Sequence, residues 1–483
     1  MTAKIASTSP SAALRAKLPH PVIDGDAHIL EGEFVIADYV KQVGGPQLLA
    51  KFEASRKAKR GIPHRRMFWA APSGKFTLDR ATAMLPKLYR ERLGEAGVDF
   101  AVVYTTYGLA VLTMQDDELR PVIARALNLM YADMFRDVGD RLTPAAVIPM
   151  GTPQEAITEL EFAVKELGFK AISCPGEVRR PAPEVVREAP HLGRYAQRIY
   201  SLTIDSPYDY DPFWAKCVEL RVAPTSHSGS QQTARRESAT NFVYNRLGSF
   251  TPSNDHFCRS MFLGGVSRRF PGLNVGYLEG GVAWACALYN DMFEFWEKRN
   301  VDWLHENMDP AKLDLGLMEE MFKRYGDEHL TPDYIKAHPD LYNAKLDEDR
   351  SKLDDFAACG VKSKQDIHDL FVPNFYFGCE ADDRTTAYAF NDRLNQMGAK
   401  LKAFFSSDIG HWDVPDLTKV LTDAWKLVER KHITEEDFHS FTCVNPAMLH
   451  ARMNPDFFKG TAVESEVAKL LAEQKPARQA GAA

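Results

Sequence analysis

The stretch Val22-Ile23-Asp24-Gly25-Asp26-Ala27-His28 opens on apolar residues and ends in charge, the pattern of a strand whose C-terminal end meets polar chemistry. Asp26 and His28 lie two residues apart, so on an extended chain both side chains leave the same face. Two donors on one strand end suit a divalent cation. Asp-x-His alone describes many solvated loops; here it follows an apolar strand, where burying such groups unpaired costs free energy.

Outward from this strand the pattern repeats. Short apolar or β-branched runs recur at 22–26, 100–104, 145–149, 170–174, 222–226, 273–278, 375–379 and 403–407. Amphipathic helical stretches lie between most of them: 78–96, 117–138, 153–167, 212–220, 254–269, 385–394 and 416–429. Alternation of this kind predicts a parallel sheet, because a parallel crossover needs a connection of a dozen or more residues. Eight units predict an α/β fold closed as a distorted (β/α)8 barrel, with long insertions on its C-terminal face. The alternative, a doubly wound open sheet, lacks its usual Gly-x-Gly-x-x-Gly turn: Asp24-Gly25-Asp26 is followed by charge.

One barrel domain is expected over residues 21–455, with an inserted helical segment at about 285–373. Residues 1–20 read as a flexible tail, and 456–483 as a C-terminal helix followed by another. Three spans exceed simple connections: 31–77, 176–210 and 284–373. All follow strand ends, so they are expected at the active face as lids, pocket walls or subunit contacts. In the last, Trp296, Trp303, Met318, Phe322 and Tyr334 read as apolar anchors, and it is the favoured surface for a homodimer or higher homo-oligomer.

Of the 483 residues 45% are hydrophobic and 26% charged, which is ordinary globular composition. No apolar run approaches the roughly 18 residues of a membrane span, and residues 1–19 carry no secretory apolar core. A net charge of -7 excludes the global basic field expected of a nucleic-acid or anionic-membrane partner. The seven cysteines are scattered without a Cys-x-x-Cys pair, fitting reduced thiols and a cytoplasmic enzyme acting on a small molecule.

Two further strand ends carry donors. His227 closes the fifth run in Pro224-Thr225-Ser226-His227-Ser228-Gly229, where it can reach the barrel mouth or remain a loop histidine. Asp408 follows the eighth in Ser406-Ser407-Asp408-Ile409-Gly410-His411-Trp412-Asp413. A carboxylate there can bind metal and also take a proton from water, with His411 orienting it or touching substrate.

With these motifs the sequence resembles the amidohydrolase-related family that includes aminocarboxymuconate-semialdehyde decarboxylase and the resorcylate-type decarboxylases, within the amidohydrolase superfamily. The likeness runs from about Val22 to His450. Its other carriers are Leu93-Gly94-Glu95-Ala96-Gly97-Val98-Asp99, Phe270-Pro271-Gly272-Leu273 and Leu278-Glu279-Gly280-Gly281-Val282-Ala283-Trp284. The resemblance implies one divalent metal ion held by Asp26, His28, His227 and Asp408. Many relatives carry His-x-His on the first strand; Asp26 resembles the Glu-x-His variant instead. Zinc is expected, and the added carboxylate gives manganese or iron some ground. Where relatives place a catalytic histidine after the sixth strand, this chain has Glu279. It is an acid/base candidate if burial raises its pKa, and otherwise an acceptor of loop amide bonds.

Substrate anions need a cation. Arg65 and Arg66 beside Met67-Phe68-Trp69 combine guanidinium and aromatic surface on the first active-face loop, and Trp412 adds a second ring. The expected activity is metal-dependent hydrolysis of a small carboxylated or aromatic compound. The alternative is non-oxidative decarboxylation of an aromatic or muconate-type acid, a step in aromatic-compound catabolism. An inactive barrel serving as a binding module is a remote third reading.

Overall fold

Each apolar run forms a strand in the computed structural model, which describes residues 9–60, 71–193, 195–227, 238, 240–338, 349 and 352–473. They are β1 (Ile23–Ile29), β2 (Phe100–Thr105), β3 (Leu142–Val147), β4 (Ala171–Cys174), β5 (Pro224–Ser226), β6 (Val275–Tyr277), β7 (Phe375–Glu380) and β8 (Lys402–Ser406). All pair in parallel in chain order, with helices between them. The result is a nearly closed (β/α)8 barrel of the expected class.

The seam between β8 and β1 closes irregularly, and this shapes the mouth. The register of β1 against β2 shifts between Asp24 and Ala27, a bulge of the kind that re-aims side chains beside active sites. Bonds from beyond β8 replace a regular ladder. His28 N donates to Ile409 O at 2.9 Å, Asp408 N to Asp26 O at 3.0 Å and Ser407 N to Asp24 Oδ1 at 2.9 Å. Gly25 is required here, since a Cβ would lie 2.6 Å from the Phe404 ring.

Several helices break where local chemistry forbids their continuation. The stretch expected over 78–96 splits into Thr77–Met84, Pro86–Arg92 and a 3-10 turn, because Pro86 has no amide to donate. The one over 254–269 divides into Thr251–Leu263 and Val266–Arg269 at Gly264-Gly265, Gly265 having φ 75°. Over 385–394 only the 3-10 turn Arg384–Tyr388 forms.

The long spans have structure of their own. The first carries a helix, Glu33–Arg60, kinked at Gly45 before Pro46 and packed on Leu119–Met134 rather than left as loop. The second holds an antiparallel hairpin, Val178–Pro181 with Gln197–Tyr200. The third begins with Ala283–Arg299, whose Met292 and Phe293 are buried and whose Trp296 packs on the core. Its other expected anchors reach the core less well: Trp303, Met318 and Phe322 are half-buried and Tyr334 is exposed.

The N-terminal segment departs from the expected tail from residue 9 onward. Ser9 caps the helix Pro10–Arg15, the buried Ser11 hydroxyl accepts Leu421 N at 3.1 Å, and Arg15 pairs with Asp99. Residues 1–8 lie outside the described residues. Among the described residues no helix is long and apolar enough to cross a membrane.

Candidate metal centre

The barrel gathers the marked residues at one end. Asp26 and His28 leave β1 at its bulge, His227 follows β5, Glu279 stands two residues past β6 and Asp408 two past β8. Asp26, His28, His227 and Asp408 are 0% exposed, and the Glu279 side chain 8%.

Their donor atoms converge. The Nε2 atoms of His28 and His227 are 3.0 Å apart. His28 Nε2 lies 3.3 Å from Asp408 Oδ1 and 3.5 Å from Asp26 Oδ1. His227 Nε2 is 3.8 Å from Asp26 Oδ1 and 3.1 Å from Glu279 Oε2. Donors bonded at about 2.1 Å to one ion sit about 3.0–3.5 Å apart; Asp26, His28 and His227 form one group of that order, and Asp408 joins a second group through the shared His28.

Unpaired atoms sharpen the fit. Asp26 Oδ1 and Asp408 Oδ2 are buried without a hydrogen-bond partner, a cost that a cation would relieve. Burial pushes His28 well below the ordinary histidine range and lowers His227, leaving both in the neutral form that ligates metal. It pushes Asp26 up to about 7. Asp408 is driven well up by burial, reinforced by the charges of Glu279 and Asp413. These are the signs of carboxylates short of a counter-charge.

His411 sits behind Asp408. Its Nδ1 lies 2.6 Å from Asp408 Oδ1, its Nε2 2.9 Å from Thr106 Oγ1, and its ring stacks on His28 at 3.9 Å. Thr106 is held in turn by the half-buried Glu31, which accepts Thr105 Oγ1 at 2.6 Å, Thr106 N at 3.2 Å and Tyr107 N at 2.9 Å, together with the Tyr131 hydroxyl. Glu279 and Asp408 both adopt left-handed backbone, φ 51° and 55°, a conformation that costs a non-glycine residue about 1 kcal/mol or more and clusters at functional sites.

Two further carboxyls belong here that the sequence reading missed. Glu380 ends β7, and with Asp413 it joins Glu279 in a group whose ligand atoms lie within 4.8 Å of one another. Burial and the charges of Glu279 and Asp413 push Glu380 up to about 9. Glu380 carried the same signal as Asp408, a carboxylate at a strand end. Asp413 carried none beyond its nearness to His411. Arg246, also unmarked, lies close enough to act electrostatically on both Glu279 and His411.

Of the expected substrate contacts, Trp412 is 41% exposed and meets Phe242 edge-on at 5.2 Å. Arg65, Arg66 and Trp69 lie outside the described residues.

The family model for amidohydrolases matches residues 23–331, well over half of the chain. This chain belongs to the amidohydrolase family. It is thus an enzyme of the amidohydrolase superfamily, and the match takes in Asp26, His28, His227 and Glu279. No curated protein sequence matches this amidohydrolase. Solved structures do. A dihydroxybenzoic acid decarboxylase from Polaromonas sp. JS666, with bound manganese and the inhibitor 2-nitroresorcinol, is 17% identical over 89% of this chain and 97% of that one, with TM-score 0.50. An amidohydrolase from Mycobacterium avium subsp. paratuberculosis K-10 is 16% identical over 89% and 98%, TM-score 0.50. A 4-oxalomesaconate hydratase from Rhodopseudomonas palustris is 14% identical over 92% and 98%, TM-score 0.46. At such identities the likeness is one of fold.

Proposed function

We propose that this amidohydrolase is a metal-dependent, non-oxidative decarboxylase of an aromatic or muconate-type carboxylic acid, with Asp26, His28, His227 and Asp408 holding one divalent ion. The observation that carries this reading is the position of Glu279. It faces the donor set at 3.1 Å from His227 and is grouped with Glu380 and Asp413, and three carboxyls this close cannot all be ionised. The site therefore keeps a proton on the face where a substrate carbon would stand, which is what decarboxylation needs.

When bound, the ion supplies Lewis acidity toward the oxygens of a chelating acid. The protein groups do the rest. Glu279 donates its proton to the carbon that bears the carboxylate. The bond to that carboxylate then breaks, its electron pair restores the ring, and carbon dioxide leaves. Glu279 recovers a proton from solvent through Glu380 and Asp413. The charge of Arg246, felt at both Glu279 and His411, adds a positive field to this side of the mouth. The manganese-containing decarboxylase that shares the fold supports this order of readings over hydrolysis.

Hydrolysis stands second, favoured by the Asp408–His411 pair at 2.6 Å, which could take a proton from water. Ortho-hydroxylated benzoates turned over in deuterium oxide, and phenyl esters and lactones of the same acids turned over in oxygen-18 water, separate the two. Decarboxylation places one deuterium at the vacated carbon and releases carbon dioxide. An acid product carrying oxygen-18 from labelled water, without carbon dioxide, would sink it.

A further inference from the structure

At the opposite end of the barrel from the donor set, a second group of metal-binding side chains comes together from distant parts of the chain. His20 stands three residues before β1, His439 ends the helix Glu435–His439, and Cys443 lies in the π-helical turn Ser440–Val444. One ligand atom from each lies within 4.8 Å of the others. A cavity of about 450 Å³ adjoins them, lined by His20, His439, Glu435, Glu436 and Glu466 among others.

We propose that His20, His439 and Cys443 form a structural zinc site on the N-terminal face, with its fourth position toward the cavity and Glu466. Four features of these residues point to a cation. His20 is 6% exposed, and its Nδ1 lies 3.0 Å from Pro21 O, the backbone bond that ordinarily orients a ligating imidazole and leaves Nε2 free. His439 Nε2 is buried without a hydrogen-bond partner. The His20 and His439 rings sit 4.4 Å apart, tilted by 35°, an arrangement with no hydrogen bond between them. His439 and Cys443 are four residues apart on one helical face, the spacing at which two side chains reach one ion.

Tetrahedral zinc with bonds of about 2.0–2.3 Å needs donors about 3.3–3.8 Å apart, so the closing movement is at most about 1.5 Å, within reach of side-chain rotation. A thiolate and two imidazoles make a soft donor set that selects zinc, unlike the carboxylate-rich mouth. The consequence would be a clasp. It ties the segment entering β1 to the C-terminal helices, on the barrel face where function is normally stability rather than catalysis.

Cobalt and zinc loading of the metal-stripped, full-length protein tests this separately from the catalytic centre, which contains no cysteine. Wild-type protein should bind about two equivalents of zinc but about one of manganese, and its cobalt form should show a thiolate-to-cobalt charge-transfer band in the near ultraviolet. Cys443→Ser should abolish the band and one zinc equivalent. His439→Gln, at a half-buried position, should weaken both if Cys443→Ser fails to fold. Asp408→Asn should remove the other equivalent and leave the band intact, so failure of the catalytic reading is seen separately. A wild-type cobalt protein without the band, or zinc binding that Cys443→Ser and His439→Gln leave unchanged, would overturn the proposal.

Discussion

Asp408 shows how much one residue can carry. Its Oδ1 pairs with His411, its Oδ2 is buried without a hydrogen-bond partner, and its backbone sits in a left-handed conformation. Asp408→Asn and His227→Ala should each empty the centre and lower kcat/KM more than about 100-fold, as elemental analysis and steady-state kinetics would show. Glu279→Gln should behave differently. It keeps shape and metal content but removes the transferable proton, so kcat should fall about 10²–10⁴-fold with little change in metal stoichiometry. Equal metal loss in Glu279→Gln would make Glu279 a ligand instead. Thr106→Val removes one of the contacts that hold His411, beside those to Asp408 and His28, and a loss of about 10-fold with full metal occupancy is expected. The donor set was legible in sequence because each member closes an apolar run, a local signal. Glu380 and Asp413 were not, because their meaning arises from Glu279 across the mouth, a tertiary proximity that no spacing encodes.

At the scale of elements, the β1–β8 seam is where the fold and the centre depend on one another. The bulge at Gly25 puts Asp26 in reach of Ser406 Oγ, 2.9 Å away, and lets the Phe404 ring lie against the glycine. Gly25→Ala forces a methyl into that ring and should cost about 1–3 kcal/mol, read as a lower urea midpoint at unchanged slope. Metal affinity should fall with it, since the same peptide carries Asp26; a destabilised variant with wild-type affinity would separate the bulge from the centre. All eight strands could be read from the sequence because each is a short, buried, mostly apolar run. Helix ends could not be read as well. Pro86 and the Gly264-Gly265 pair interrupt amphipathic patterns that periodicity alone runs together. The helix Glu33–Arg60 went unread because its lysines and arginines mask the apolar stripe of Ile36, Val40 and Phe52 that packs on the barrel.

Across the whole molecule, acid stability should be governed in part by a histidine that belongs to neither metal group. His450 lies in the helix Asn445–Ala451, 2% exposed, with both ring nitrogens lacking a hydrogen-bond partner and the ring stacked on Phe457 at 4.3 Å. Burial pushes it down to about 3, so the folded protein holds it neutral. In the unfolded chain it regains an ordinary pKa of about 6.5 and takes up a proton below that pH. Between about pH 6.5 and 3 the unfolded state therefore binds the extra proton, and stability falls as pH falls. At pH 5 this single group should cost about 2 kcal/mol relative to neutral pH. His450→Phe keeps a stacking ring and His450→Leu an apolar side chain; neither can protonate. Urea unfolding from pH 7 to 4.5 should show both variants losing stability less steeply than wild type, the other titrating groups cancelling in the comparison. Parallel curves for wild type and both variants would mean that His450 opens to water and charges in the folded state.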